Sequence, residues 1–178
     1  MAQSIYRFLA LAYRPFGMAS AGFRTREASM SESRINLHRT APDAYAALRG
    51  VETYLRSSSL EPALVELVKM RASQINGCLF CLDMHSHDAR KSGETEQRLY
   101  VLNGWRESRL YTDRERAALA WCEHLTRLSV EGAPDAAYDA LRAHFTDREI
   151  ADLTVLTGMI NLWNRVAIGT AMQPPVRT

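Results

Sequence analysis

The tetrapeptide Thr-Asp-Arg-Glu occurs twice, at Thr112–Glu115 and Thr146–Glu149, each time ahead of a long apolar run. Threonine followed three residues later by glutamate is a capping box: the hydroxyl accepts an amide of the first turn, and the carboxylate reaches back to the threonine amide. Leu119, Trp121, Leu125 and Leu128 follow the first copy at helical spacing, and Ile150, Leu153, Leu156, Ile160 and Trp163 follow the second. No stretch alternates apolar and polar residues between hairpin turns, and no glycine-rich phosphate loop occurs. The expected fold class is all-α.

The remaining helices are marked by proline, asparagine and glycine. Ala41-Pro42-Asp43 opens a run in which Tyr45, Leu48, Val51, Tyr54 and Leu55 recur with helical period, and Ser57-Ser58-Ser59 closes it. Pro62 suits the first turn of the next helix, whose apolar positions include Leu64, Leu67, Val68 and Met70. Asn76-Gly77 is a breaker pair. The following helix is expected to start at or just before Cys78 and to stop at Gly93, behind Arg90 and Lys91. Another is expected over about 95–105, and Ala133-Pro134-Asp135 opens one that ends near Phe145.

A chain of 178 residues suits one domain able to bury a core without disulfide staples. Residues 1–29 hold Arg7, Arg14, Arg24 and Arg26 against Glu27, a net +3, so the overall +2 leaves −1 for the rest. That segment reads as an extension peripheral to the fold, with the regular pattern beginning at Met30; a docking arm for a partner subunit is the sharper reading. Without a basic excess, the domain of residues 30–178 has no electrostatic footprint for nucleic acid. No apolar run reaches the roughly 18 residues of a membrane helix. The three cysteines, one close pair and a singleton, fit a cytoplasmic protein rather than a secreted disulfide framework. Cys122, within the apolar stretch AALAWCEHL, reads as a small buried hydrophobe.

The close pair carries the chemistry. In ELVKMRASQINGCLFCLDMHSH, Glu66 precedes Cys78 by twelve positions, Cys81 follows by three, and His85 by four more. On one helix Cys81 and His85 stack one turn apart. Two thiols, an imidazole and an acid able to orient it are the parts of a thiol redox centre. The positive end of a helix would activate Cys78. His85, one turn beyond Cys81, would instead activate Cys81 as base or neighbouring cation. Spacing alone leaves both open.

This constellation resembles the core motif of the AhpD-like alkylhydroperoxidases of the carboxymuconolactone decarboxylase superfamily. The resemblance runs from about residue 35 to 170 and takes in Ala120-Trp121 and the Asn-x-Trp-Asn-Arg of 161–165. It implies an AhpD-like helical bundle and an antioxidant peroxidase acting on an organic hydroperoxide or hydrogen peroxide. Cys81 would be the peroxidatic residue, Cys78 the resolving one, and Glu66 with His85 the proton relay. It further implies a thioredoxin-like or lipoyl dithiol protein as reductant and a homo-oligomer, trimeric or hexameric; no flavin, haem or nucleotide motif occurs in the sequence, so no cofactor is expected. Some members carry a histidine between the cysteines; Leu79 and Phe80 stand there in this chain, which would shorten the relay.

Three other readings compete. Cys78, Cys81, His85 and His87 offer metal-ligand types, but ligands so spaced on one helix do not converge tetrahedrally. His87 falls off the Cys81–His85 stripe and is expected in solvent. A lactone decarboxylase of the same superfamily would have no use for the cysteine pair. A non-enzymatic redox sensor would use the same disulfide switch. Asn161, Trp163, Asn164 and Arg165 interrupt the last apolar helix, and are read as hydrogen-bonded structure ahead of pocket lining.

Overall fold

Pro42 and Pro62 each open a fifteen-residue helix, at a position where the missing amide hydrogen has no intrahelical partner to lose. A computed structural model describes residues 33–176 of the chain. The expected extension of residues 1–29 lies outside the described residues. The elements are α1 (Leu37–Thr40), α2 (Pro42–Arg56), α3 (Pro62–Asn76), α4 (Leu79–Lys91), α5 (Glu96–Tyr100), a 3₁₀ turn (Leu102–Gly104), α6 (Asp113–Thr126), α7 (Leu128–Glu131), α8 (Asp135–Arg142) and α9 (Asp147–Gly169). No strand occurs among the described residues. Both capping boxes form, with threonine hydroxyl and glutamate carboxylate each engaging the other's backbone. No helix among the described residues is long and apolar enough to cross a membrane.

α3 is the centre. From Leu67 to Ser73 every residue is buried, so this helix has no solvent face along that stretch. One side, Leu64, Val68 and Ala72, packs into a core with Ala118, Leu141, Leu153 and Leu156 from α6, α8 and α9. The other side, Leu67 and Met70, packs with Leu99, Leu102, Trp105 and Leu119. Truncating a side chain as buried as Leu67 costs about 2–5 kcal/mol, because the hole closes only in part. Beside the second core lies the buried Glu123 carboxylate. It accepts from Arg71 Nε at 2.6 Å and from Trp105 Nε1 at 2.8 Å, and pairs with Arg106.

Two helix boundaries differ from expectation. The span 95–105 is not one helix: Val101 (φ −99°, ψ 8°) leaves helical geometry, and the chain tightens into the 3₁₀ turn. Valine and the glycine at 104 are poor helix formers, and the turn instead buries Leu102 and Trp105. The run behind the first capping box stops at Thr126 rather than continuing through Leu128. Arg127 turns (φ −104°, ψ 30°), and Leu128 is 55% exposed, so no burial holds it in the helical register.

Candidate active site

The site is built where α3 stops and α4 starts. Gly77 takes a left-handed conformation (φ 67°, ψ 33°), and Cys78 N–H bonds back to Ser73 O at 3.0 Å. The chain then reverses into α4 with Cys78 as its N-cap, and the Cys78 sulfur accepts the Cys81 amide at 3.4 Å. Cys78 thus stands at the positive end of α4, and Cys81 lies within its first turn.

The two sulfurs are 2.6 Å apart, and both cysteines are free and buried. Their protonation is shared. The Cys78 thiol is drawn down to about 6, first by the hydrogen bond from Cys81, and further by the amides of Cys81 and Phe80 and by Asn164, against the opposing effect of burial. Cys81 is pushed up, first by the same hydrogen bond and then by burial. The pair therefore gives up one proton readily and keeps the second. By contrast, burial pushes the Cys122 thiol up to about 12, and its sulfur meets Val68 O at 3.5 Å and Thr126 Oγ1 at 3.9 Å, in keeping with its reading as core.

Behind the thiols Asn164 is fully buried. It accepts from Asn76 Nδ2 at 2.8 Å and donates to Ser73 Oγ at 3.0 Å. Asn161 accepts from Asn76 at 2.9 Å and donates to Thr126 Oγ1 at 3.0 Å. These asparagines have the hydrogen-bonded structural role read from sequence; they tie α9 to the C-terminal turn of α3, and Asn164 in addition favours the ionised thiols.

On the cavity side, His85 Nδ1 meets Glu66 Oε2 at 2.8 Å. Glu66 is shared: Lys69 Nζ stands 3.8 Å from its other oxygen and 3.5 Å from Glu52 Oε2. Glu52 in turn accepts from Trp163 Nε1 at 2.9 Å. A chain of alternating charge thus runs from α4 through α3 to α2 and α9.

Cys81, Glu66 and His85 all line one cavity of about 400 Å³, with Phe80, Met84 and Trp163 among its apolar walls. Cys78 does not line it. Three of the four expected residues therefore share one chamber, and the fourth sits behind Cys81 at bonding range. His87 is exposed, as expected, and among the described residues it stands apart from any cluster of ligand types. Sequence reasoning missed Glu52 and Lys69, which no motif marks. Among the described residues the grouping with metal-like spacing is Glu66, His85 and Asp88, whose donor atoms lie within 4.8 Å of one another. It contains no cysteine, so the sulfurs and those donors form two separate sets.

The sequence profile of the Carboxymuconolactone decarboxylase family matches residues 40–124. The uncharacterised protein YdfG of Bacillus subtilis is 42% identical over 135 residues, which span 76% of this chain and 92% of that protein. A crystal structure of an Agrobacterium tumefaciens protein of unknown function, a suggested antioxidant defence protein AhpD, is 46% identical with a TM-score of 0.80. It is matched over 82% of this chain and all of that one. A peroxidase-related protein of Ralstonia eutropha, described as an alkylhydroperoxidase AhpD core, is 25% identical with a TM-score of 0.69, over 78% of this chain and 74% of that one. The debrominase Bmp8 shares the fold, at 19% identity and a TM-score of 0.66.

Proposed function

Because this chain belongs to the carboxymuconolactone decarboxylase family, in its AhpD-like branch, we propose that it is a thiol peroxidase reducing hydroperoxides in antioxidant defence. One observation carries the reading: Cys81 opens on a cavity beside a carboxylate-held imidazole, with a second sulfur 2.6 Å behind it. Charge and access favour different sulfurs. The resting thiolate sits on Cys78, whereas Cys81 is the one that faces the cavity. Access decides, because a proton between sulfurs this close changes place without heavy-atom movement, while a buried sulfur behind another meets no substrate.

The Cys81 thiolate attacks the terminal oxygen of ROOH. An S–O bond forms, the O–O bond breaks, and RO⁻ leaves with the electron pair; it takes, by way of His85, the proton that Cys81 had passed to Cys78, giving ROH and leaving Cys78 as the thiolate. Cys81 is now a sulfenic acid. Cys78 thiolate attacks the Cys81 sulfur, the S–O bond breaks, and the departing hydroxide takes a solvent proton to become water. An external dithiol, thioredoxin-like or lipoyl-bearing, then reduces the Cys78–Cys81 disulfide by exchange and is itself oxidised. Glu66 holds the imidazole by Nδ1 and leaves Nε2 to carry the proton. The same reading assigns the chain to the cytoplasm as a homotrimer or hexamer, which light scattering tests.

The decisive experiment counts thiols by mass spectrometry on the reduced full chain, before and after one equivalent of cumene hydroperoxide. Loss of two thiols with a Cys78–Cys81 link in the peptide map supports the reading; three surviving thiols would overturn it.

A further inference from the structure

The cavity in front of Cys81 is far larger than hydrogen peroxide requires. About 400 Å³ compares with roughly 30 Å³ for a water-sized molecule in the liquid, so the space fits an organic body. Its walls are apolar at Leu55, Leu60, Val65, Phe80 and Met84. Its charges are unevenly committed. Glu52 and Glu66 are engaged by Lys69, Trp163 and His85. Asp88 lines the α4 side, within 4.8 Å of the His85 and Glu66 donor atoms.

Arg49 and Arg56 line the same cavity from α2. They are seven residues apart, two turns along one helix face, or about 10 Å of axis. Among the described residues neither guanidinium has a hydrogen bond, ion pair or aromatic partner. Arg71, Arg98, Arg106, Arg114 and Arg148, elsewhere in the fold, are all paired with carboxylates. The cavity therefore presents two free cations along α2 and a free carboxylate near the imidazole on α4.

Resting on the peroxidase reading above, we propose that the substrate is an organic hydroperoxide bearing a carboxylate, its apolar body in the cavity and its carboxylate held by Arg49 and Arg56. Guanidinium forks match carboxylate geometry. Asp88 and Glu66 repel the anionic end from the α4 side, so the ligand enters with its neutral hydroperoxide toward Cys81 and His85. The product alcohol keeps the carboxylate, and Arg49 and Arg56 take no part in the bond changes.

The test uses the full chain with dithiothreitol as reductant and two hydroperoxides of matched body: cumene hydroperoxide carrying a para-carboxylate, and its methyl ester. The acid is expected to exceed the ester in kcat/KM by about tenfold at low ionic strength, the scale of one well-placed charged contact, with the ratio shrinking as salt is added. The double variant R49Q/R56Q should bring the ratio close to one, while R49K/R56K, which keeps the charge but not the fork, should retain part of it. Both sites are exposed, so the substitutions leave the fold intact. Equal rates for acid and ester in the unaltered chain, or a ratio that survives R49Q/R56Q, would overturn the substrate assignment alone. Consumption of neither compound would overturn the peroxidase reading and the assignment with it.

Discussion

His85 on α4 and Glu66 on α3 meet at 2.8 Å through Nδ1 and Oε2, both largely out of solvent. The contact fixes which imidazole nitrogen remains for chemistry, since Nδ1 is occupied and Nε2 is left over. It also joins the two helices that carry the thiols and the acid.

Replacing His85 by Gln should slow oxidation of the thiol pair by hydroperoxide about a hundredfold, the lower range for a lost general acid or base. Glu66→Gln should slow it less, since Glu66 acts through the imidazole. Stopped-flow measurement of thiol loss checks both, and an unchanged rate in either variant removes that residue from the relay.

Cys81→Ser should abolish peroxide consumption. Cys78→Ser should consume one equivalent and stop, leaving a sulfenic acid on Cys81 that dimedone traps. Dimedone found on Cys78 of the unaltered chain would reverse the two roles.

The rate at which iodoacetamide alkylates Cys81 should rise with pH through a midpoint near 6, where the thiol pair gives up its first proton, and fall away below it as that proton returns. Cys81→Ala removes the largest cause of that lowering and should move the midpoint toward the ordinary thiol range, and Asn164→Leu should move it the same way by less. A midpoint above 8 in the unaltered chain would contradict the hydrogen bond between the two sulfurs.

Burial alone would raise the Glu123 carboxyl, but hydrogen bonds from Trp105, Arg106 and Arg71 outweigh it and leave it below the usual carboxylate value. A carboxylate held low in the folded state stabilises the fold above its unfolded pKa, and that contribution disappears as pH falls through the lower, folded value. Stability should therefore drop as the solution is acidified below about 4.5. Glu123→Leu should lose about 3–5 kcal/mol at neutral pH, because Arg71 is left charged and buried. Urea denaturation across a pH series distinguishes these, and an unaltered acid limb in the variant would exclude Glu123 as a source of the acid sensitivity.

Gly77→Ala should cost about 1–2 kcal/mol, the left-handed penalty of an ordinary residue, since an added Cβ would meet nothing within 4 Å. Gly77→Asn should cost less, because asparagine tolerates that region. Equal melting temperatures for alanine variant and unaltered chain would show that the turn relaxes.

Helix starts were the most legible part of the molecule. Threonine, proline and glutamate act through contacts within four residues, so Thr112, Thr146, Pro42 and Pro62 announce their helices locally. The spacing of Glu66, Cys78, Cys81 and His85 was equally local, and it reaches one site because α3 and α4 lie side by side. Lys69 was not legible. Its sequence neighbours suit a solvent-facing lysine as well as a buried one, and Glu52, seventeen residues earlier on α2, joins Glu66 in making its burial tolerable. Asn164 was half legible: a polar residue in an apolar helix signals a buried hydrogen bond, but not that thiols lie beside it. The break at Val101 depends on Leu102 and Trp105 finding the second core, which no local pattern encodes.

Glu66, Lys69, Ser73 and Asn76 share α3 with Leu64, Leu67, Val68 and Met70, so residues of the site alternate with residues of both cores along four turns. Such a helix leaves little room for independent change. A substitution survey of this stretch would find few positions that alter reactivity while sparing the fold, or the fold while sparing reactivity. On the substrate assignment proposed above, variation in substrate preference is freest on α2, whose cavity-facing arginines are exposed and bear no share of either core.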